Sequence, residues 1–209
     1  MIAADIETMR DDSKIDSLPE PKIDSRLKDE AKIEAAKEKG RQEQIDNMAL
    51  SPWTGKLASV AMVNGEKDCC LIVGRDGTEA EVLQSFFNTI KGSPIIGYNS
   101  MGFDVPFVYG RALLLGVSVH RPMSQLMKRY TTDPHADLMQ VITNWGKDKY
   151  MSLNDASRLI LGGEQKDDFD WRRIPELLEK KEYDELESYN TQDARLTFNL
   201  YQKMKLIYF

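Results

Sequence analysis

Residues 2–8, IAADIET, read as a strand whose two faces disagree. Side chains alternate along a strand, so Ile2, Ala4 and Ile6 share one face while Asp5 and Glu7 share the other, roughly 7 Å apart. Two carboxylates on a largely buried face repel each other and lose hydration. A fold that buries this strand must compensate them, and a divalent cation is the usual compensator. A frayed, exposed N-terminal strand with one polar face accommodates the same residues.

The chain has 209 residues, enough to bury a full core as one domain. It is 41% hydrophobic and 30% charged with a formal net charge of −6, which predicts a soluble protein and argues against a broad basic nucleic-acid-binding face. That balance does not exclude an enzyme whose acidic centre meets phosphates through metal ions. No apolar run approaches the ~20 residues of a membrane span, and the N-terminus lacks a signal-peptide layout. Cys69 and Cys70 are neighbours, which disfavours a disulfide between them and points to a reducing, cytoplasmic setting.

The elements follow from pattern. A charged segment runs from about Met9 to Leu50; its first part, with Pro19 and Pro21, reads as loop, and residues 27–50 read as helix. That helix has only a thin apolar stripe (Ile33, Ala36, Ile45, Met48), so it suits a solvated helix laid against the domain or an arm near a substrate entrance. KLASVAMVN and DCCLIVG read as strands joined at Asn64-Gly65. EAEVLQSFFNTI is an amphipathic helix, SPIIGYN a short buried strand, and VPFVYGRALLLG a helix ended by Gly116. SLNDASRLILGG reads as a helix capped by Ser152, and a last helix runs from about Pro175 or later to near Lys205. This order predicts one α/β domain, residues 1–209, with a mixed sheet and a charged, partly helical insertion at about 9–50.

Two further carboxylates stand out. In IIGYNSMGFDVPF, Asp104 follows a buried strand and a glycine-containing turn, with Pro106 just beyond it. Asp is a favoured N-cap, and the end of a strand in an α/β sheet is also a common place for a ligand; the two roles can coexist. In ELESYNTQDARLTFNLYQ the apolar stripe is Leu186, Leu196 and Leu200, and Tyr189 and Asp193 fall on it. Asp193 is a carboxylate where the helix pattern calls for an apolar residue, one turn from the Tyr189 hydroxyl. A buried Asp bonded to a buried Tyr is the plain structural alternative.

DIET, NSMGFD and YNTQD, in this order, resemble the three motifs of the DEDD superfamily of 3′–5′ exonucleases. Asn99 with Phe103 and Asp104 resembles the motif of the proofreading domain of family-B DNA polymerases. Tyr189, four before Asp193, places the resemblance in the tyrosine subclass; the histidine subclass would carry its His at the position of Ser188. IDNMALSPWTGKLASVAMV and SLNDASRLILGG also look like stretches of small stand-alone exonucleases of bacteriophages and bacteria. The resemblance implies a ribonuclease H-like fold, a central mixed β-sheet flanked by helices, in a bacterial cell or phage-infected host. The first strand begins almost at Met1 and is unusually short at its start for this resemblance, which leaves open whether residues precede it, and the segment after it is longer than in a minimal fold of this kind.

The resemblance also implies the chemistry. Two Mg²⁺ or Mn²⁺ ions would serve hydrolysis of a terminal phosphodiester. Asp5, Glu7 and Asp193 would hold one ion, Asp5 would bridge to a second, and Asp104 would reach that second ion directly or through water. Tyr189 would orient the attacking water. Asn99 and Phe103 match the motif and could contact the terminal nucleotide, as could Thr8, although core packing explains Phe103 and Thr8 equally well. Lys147, Lys149, Arg172 and Arg173 could meet the phosphate backbone. Asp137 lies outside the motifs and reads as structural; His120 and His135 lack metal-ligand spacing. The expected activity is a metal-dependent 3′–5′ exonuclease acting on single-stranded DNA ends, with a 3′–5′ exoribonuclease of the same fold and a catalytically silent nucleic-acid-binding module as the alternatives. No residue pattern names a protein partner.

Overall fold

A computed structural model describes residues 1–163 and 169–209 of the chain. Five strands form one mixed sheet in the order β3-β2-β1-β4-β5. They are β1 (Ile2–Arg10), β2 (Gly55–Val63), β3 (Asp68–Ile72), β4 (Ile95–Gly97) and β5 (His135–Asp137). β1, β2 and β3 form an antiparallel meander, whereas β4 and β5 run parallel to β1 and to each other. Helices cover both faces, which is the ribonuclease H-like arrangement.

Helix α1 is Glu30–Asp46, α2 is Glu79–Thr89, α3 is Asp104–Leu115, α4 is Met123–Leu126, α5 is Leu138–Ile142, α6 is Leu153–Ala156, α7 is Ile174–Lys180 and α8 is Tyr183–Tyr208. The alternation of β1 decides which cover goes where. Ile2 and Ile6 pack with Val82, Leu83, Phe86 and Phe87 of α2 and Val105, Phe107 and Val108 of α3. Ala3 faces the other way, into a core with Leu186, Ala194, Leu200 and Met204 of α8 and Ile174 and Leu177 of α7. Asp5 and Glu7 share the face of Ala3, so β1 aims them at α8.

α2 begins with a full capping box: the Thr78 side chain accepts from the Glu81 N–H, and the Glu81 carboxylate accepts from the Thr78 N–H. Arg111 of α3 and Glu79 of α2 then form a bidentate ion pair, both contacts 2.7 Å, with side chains only 6% and 12% exposed. The pair is tied in on both sides, for Leu57 N–H donates to Glu79 (2.8 Å) and Arg111 donates to the Pro52 carbonyl (2.9 Å).

Away from the site, the structure differs from the sequence reading in the insertion and in the helices of the C-terminal third. The insertion has a helix only over α1, no residue of which is buried; the next residues, Met48 and Ala49, are buried in a 3₁₀ turn, and another such turn, Asp12–Ser17, stands in what reads as loop. A solvated helix is what is found, because Ile33, Ala36 and Ile45 give too narrow an apolar stripe to dock. The C-terminal helix is two helices, broken where Lys181 adopts a left-handed φ of 59°. The helix capped by Ser152 widens to a π-turn over Ser157–Leu161 before Gly162 ends it at φ 81°.

Candidate active site

The length of β4 creates the site. It pairs only with Ile2 and Ala3, so beyond Ala3 the edge of β1 that faces it has no ladder partner. Asp104 fills part of that gap: its Oδ1 accepts from Ile6 N–H at 3.2 Å. The expectation of Asp104 as an N-cap is therefore corrected. Phe103 is the flanking residue, Asp104 is the first residue of α3, and its carboxylate turns to β1, where the Ile6 N–H needs an acceptor, while the Val105 N–H of the helix start already donates to the Ser100 carbonyl (2.9 Å).

On the α8 side, one oxygen each from Asp5, Glu7 and Asp193 lie within 4.8 Å of one another. Asp104 is not in that trio but opens on the same cavity, of about 260 Å³. Asp5, Glu7, Thr8, Asn99, Phe103, Asp104, Tyr189 and Asp193 all line it, whereas Lys147, Lys149, Arg172 and Arg173, expected at the phosphate backbone, do not. Tyr189 is buried to 8% exposure, its ring stacked on Phe169 at 4.1 Å between centroids. Thr8 follows a register shift in β1, and its hydroxyl donates to the Ala49 carbonyl at 2.8 Å. That contact ties the end of the insertion to the cavity, which Ala49 and Leu50 also line.

Electrostatics favour a cation here. The Asp104 carboxyl is pushed up to about 7, first by burial and then by the Asp137 and Asp193 carboxylates, against the lowering effect of backbone N–H groups. The donors of the trio are all hard carboxylate oxygens, the set that suits Mg²⁺ or Mn²⁺. The residues present fit such an ion.

The site rests on supporting residues, of which the sequence reading gave only Asp137 a structural part. Asn190 is fully buried; its Nδ2 donates to Asp5 Oδ2 (2.8 Å) and its Oδ1 accepts from Ser59 Oγ (2.8 Å). It stands four residues after Leu186, on the same inward stripe, and that spacing was the available signal. Asp137, read as structural, has a specific task. Its carboxylate accepts from the N–H groups of Asn99 (3.0 Å), Met101 (2.8 Å) and Gln140 (3.2 Å), and so holds the turn that carries Asn99 and Phe103, where Asn99 has a φ of 58°. His135 braces the same turn: Nδ1–H donates to the Leu126 carbonyl (2.7 Å), leaving Nε2 to accept from Ser100 Oγ (2.8 Å), and burial pushes its pKa down, which favours this neutral form. A Cβ at Gly97 would fall 2.3 Å from that of Ser100, so the turn also requires a glycine there. Trp171 closes the cavity rim, with the Arg172 guanidinium 5.0 Å over its ring. Arg173 is engaged with Glu185 at 2.6 Å.

Residues 54–208 match the model of a family described as "Predicted 3'-5' exonuclease related to the exonuclease domain of PolB". That stretch holds Asp104, Tyr189 and Asp193; Asp5 and Glu7 lie before it. Over 141 residues the chain is 30% identical to DNA polymerase 1 of Sulfurisphaera ohwakuensis, covering 62% of this chain and 16% of that protein. It is 29% identical to DNA polymerase 1 of Saccharolobus solfataricus, covering 61% and 15%. The chain thus matches about one sixth of the length of these relatives. In fold it is similar to the family B DNA polymerase of the hyperthermophilic archaeon Pyrobaculum calidifontis, with a TM-score of 0.60, 18% identity, and coverage of 98% of this chain and 24% of that one.

Proposed function

Because the chain belongs to the family of predicted 3′–5′ exonucleases related to the exonuclease domain of PolB, we propose that residues 1–209 work as one domain that removes nucleotides from the 3′ end of single-stranded DNA with the help of two divalent cations, Mg²⁺ or Mn²⁺. The observation that carries this reading is the trio of carboxylate oxygens from Asp5, Glu7 and Asp193 beside Tyr189 on one cavity wall. Asp5, Glu7 and Asp193 would hold one ion, and Asp5 with Asp104 the other. Bound cations of this kind supply charge neutralisation at a phosphodiester and lower the pKa of water.

The chain's own residues do the rest. Tyr189 serves as a hydrogen-bonding group that orients the attacking water, the bound cations supplying the acidity. Phe169, stacked on its ring, keeps that hydroxyl in place. Asn190 fixes the rotamer of Asp5. Phe103 and Trp171 line the cavity with aromatic surface suited to a terminal base, and Asn99 adds a polar contact. Thr8 contributes by holding Ala49 at the rim.

The test is single-stranded DNA labelled at its 5′ end, incubated with Mg²⁺ or Mn²⁺, beside Asp5→Ala protein and an RNA of the same sequence. A metal-dependent ladder shortening from the 3′ end, absent in the variant, is expected. Cleavage of the RNA in preference would make the chain an exoribonuclease. Binding of both strands without cleavage would make it a silent nucleic-acid-binding module, and full activity in Asp5→Ala would refute the metal assignment.

A further inference from the structure

Away from the carboxylates, two loops meet in an aromatic pair: Tyr130, between α4 and β5, and Trp145, just after α5, with ring centroids 5.3 Å apart and planes at 53°. Arg129 joins them. Its guanidinium lies 5.5 Å from the Tyr130 ring centre, and its Nη2 donates to the Trp145 carbonyl at 2.9 Å. Tyr130, Asn144 and Trp145 all have left-handed backbones, with φ of 64°, 50° and 60°. Asn adopts that region readily, but Tyr and Trp seldom do, and such residues persist where surrounding contacts over-determine them. Here Trp145 N–H donates to Gln140 (2.6 Å) and Asp148 N–H to Thr143 (3.0 Å). The fold thus spends strain to present these rings, and Tyr130 is nevertheless 67% exposed. They border a cavity of about 540 Å³.

From Trp145 the chain leads back to the carboxylate site. Exposed Lys147, Lys149 and Tyr150 follow it, and then the carbonyls of Met151 and Ser152 accept from the hydroxyl of Tyr98, which lines the catalytic cavity. Lys128, Arg129, Lys147 and Lys149 outnumber the acidic Asp133 and Asp148 on these loops, although the chain as a whole is acidic. We propose that Tyr130 and Trp145 form a remote subsite on which bases of a single strand stack while its 3′ end occupies the carboxylate cavity, with Lys147 and Lys149 meeting the phosphates between. This rests on the exonuclease reading for the polarity of the strand, but not for its binding. Aromatic stacking tolerates any base, and a short cationic track suits a single strand.

Distance sets the length of strand needed. Tyr208, which borders the aromatic cavity, is fifteen residues beyond Asp193 on α8. At about 1.5 Å per residue that is about 22 Å, or about six nucleotides at a stacked rise of ~3.4 Å.

The experiment is fluorescence anisotropy in EDTA, so that no cleavage occurs, with 5′-fluorescein oligothymidylates of four and twenty nucleotides. The wild type is expected to bind the twenty-mer at least about tenfold more tightly than the four-mer. Trp145→Asn, which removes the ring and suits the left-handed backbone, abolishes that gain and leaves the four-mer unchanged; Trp145→Phe keeps most of it. The doubly substituted Lys147→Gln, Lys149→Gln protein, away from the packed ring, weakens the twenty-mer and lowers the salt dependence of its binding. Equal affinity of the wild type for both lengths, or undiminished twenty-mer binding by Trp145→Asn and by the double variant, overturns the proposal. A wild type that binds by length but never cleaves upholds the subsite and refutes the exonuclease reading; one that cleaves with no length dependence does the reverse.

Discussion

Asn190 of α8 donates a 2.8 Å hydrogen bond to Asp5 of β1 across 185 residues of chain, and it does so fully buried. Its other amide atom is taken by Ser59 of β2, so one side chain joins two strands of the sheet to the helix that carries Asp193. The proposed cation needs its carboxylates oriented before it arrives, and Asn190 orients one oxygen of Asp5.

Asn190→Ala is expected to lower stability by about 1–3 kcal/mol, because it leaves the Ser59 hydroxyl buried without its acceptor. It should also weaken the response to Mn²⁺, read as the rise in Tm on adding the ion, since Asp5 then loses the hydrogen bond that orients its Oδ2. A variant with wild-type stability and an unchanged Mn²⁺ response would show that Asp5 is held by other contacts.

Asp137→Asn tests the turn behind Asn99 and Phe103. The carboxylate accepts three backbone N–H groups, and an amide replaces one acceptor oxygen with a donor aimed at them. A loss of about 2–4 kcal/mol in urea unfolding is expected, built from one or two buried N–H groups left unsatisfied. Exonuclease activity should fall even at temperatures where the variant is folded, because the turn sets where Asp104 enters α3.

The legible and illegible parts of this chain divide by range. Asp5, Glu7 and Asp193 were readable as candidates because each breaks a short local period, a carboxylate on a buried strand face or on the apolar stripe of a helix, and Tyr189 because it stands one turn before Asp193 on that stripe. Strands β1 to β4 and helix α2 were readable because each follows a local period, whereas β5, three residues long, is too short to show one. Asp104 was readable as a candidate but not in its contact, since the partner is a backbone N–H 98 residues away, left without a β4 partner because β4 is three residues long. Asp137 and the Glu79–Arg111 pair act on backbone groups and side chains of other elements, and no spacing within their own segments announces that. The break at Lys181 was hidden because a lysine stands where a glycine would mark a left-handed helix end.

Metal-free protein should lose stability as pH rises from about 4 to about 7, in part through Asp104. Its carboxyl titrates near 3.8 when unfolded and at about 7 in the fold, so between these values the native state holds a proton that the unfolded chain has released. Stability therefore falls with rising pH across that window and levels above it. Asp137, also raised by burial, acts in the same direction, whereas His135, lowered by burial, adds stability as pH rises toward 6.5. Comparing the Tm of the wild type with that of Asp104→Asn at each pH, both in EDTA, isolates Asp104 together with its coupling to Asp137. The difference is expected to run against the wild type as pH increases, and Mg²⁺ should flatten it by stabilising the ionised form; a difference independent of pH would refute the elevated pKa.

The last prediction concerns the frame. Arg111→Met leaves Glu79 buried at the junction of α2, α3 and β2 with its Arg gone, and about 3–5 kcal/mol of stability is expected to go with it. Adding Glu79→Gln should restore part of that, because the amide can still accept from Leu57 N–H without an unpaired charge. The consequence for the site lies in Pro52, whose carbonyl Arg111 holds three residues after Ala49. In the double variant at low temperature, where the fold is intact, the segment bearing Ala49 and Leu50 is released on one side. KM for a DNA 3′ end should then rise with little change in kcat, since the carboxylates of β1 and α8 are untouched. A fall in kcat at constant KM would mean that this segment aligns the reacting groups rather than bounding the cavity.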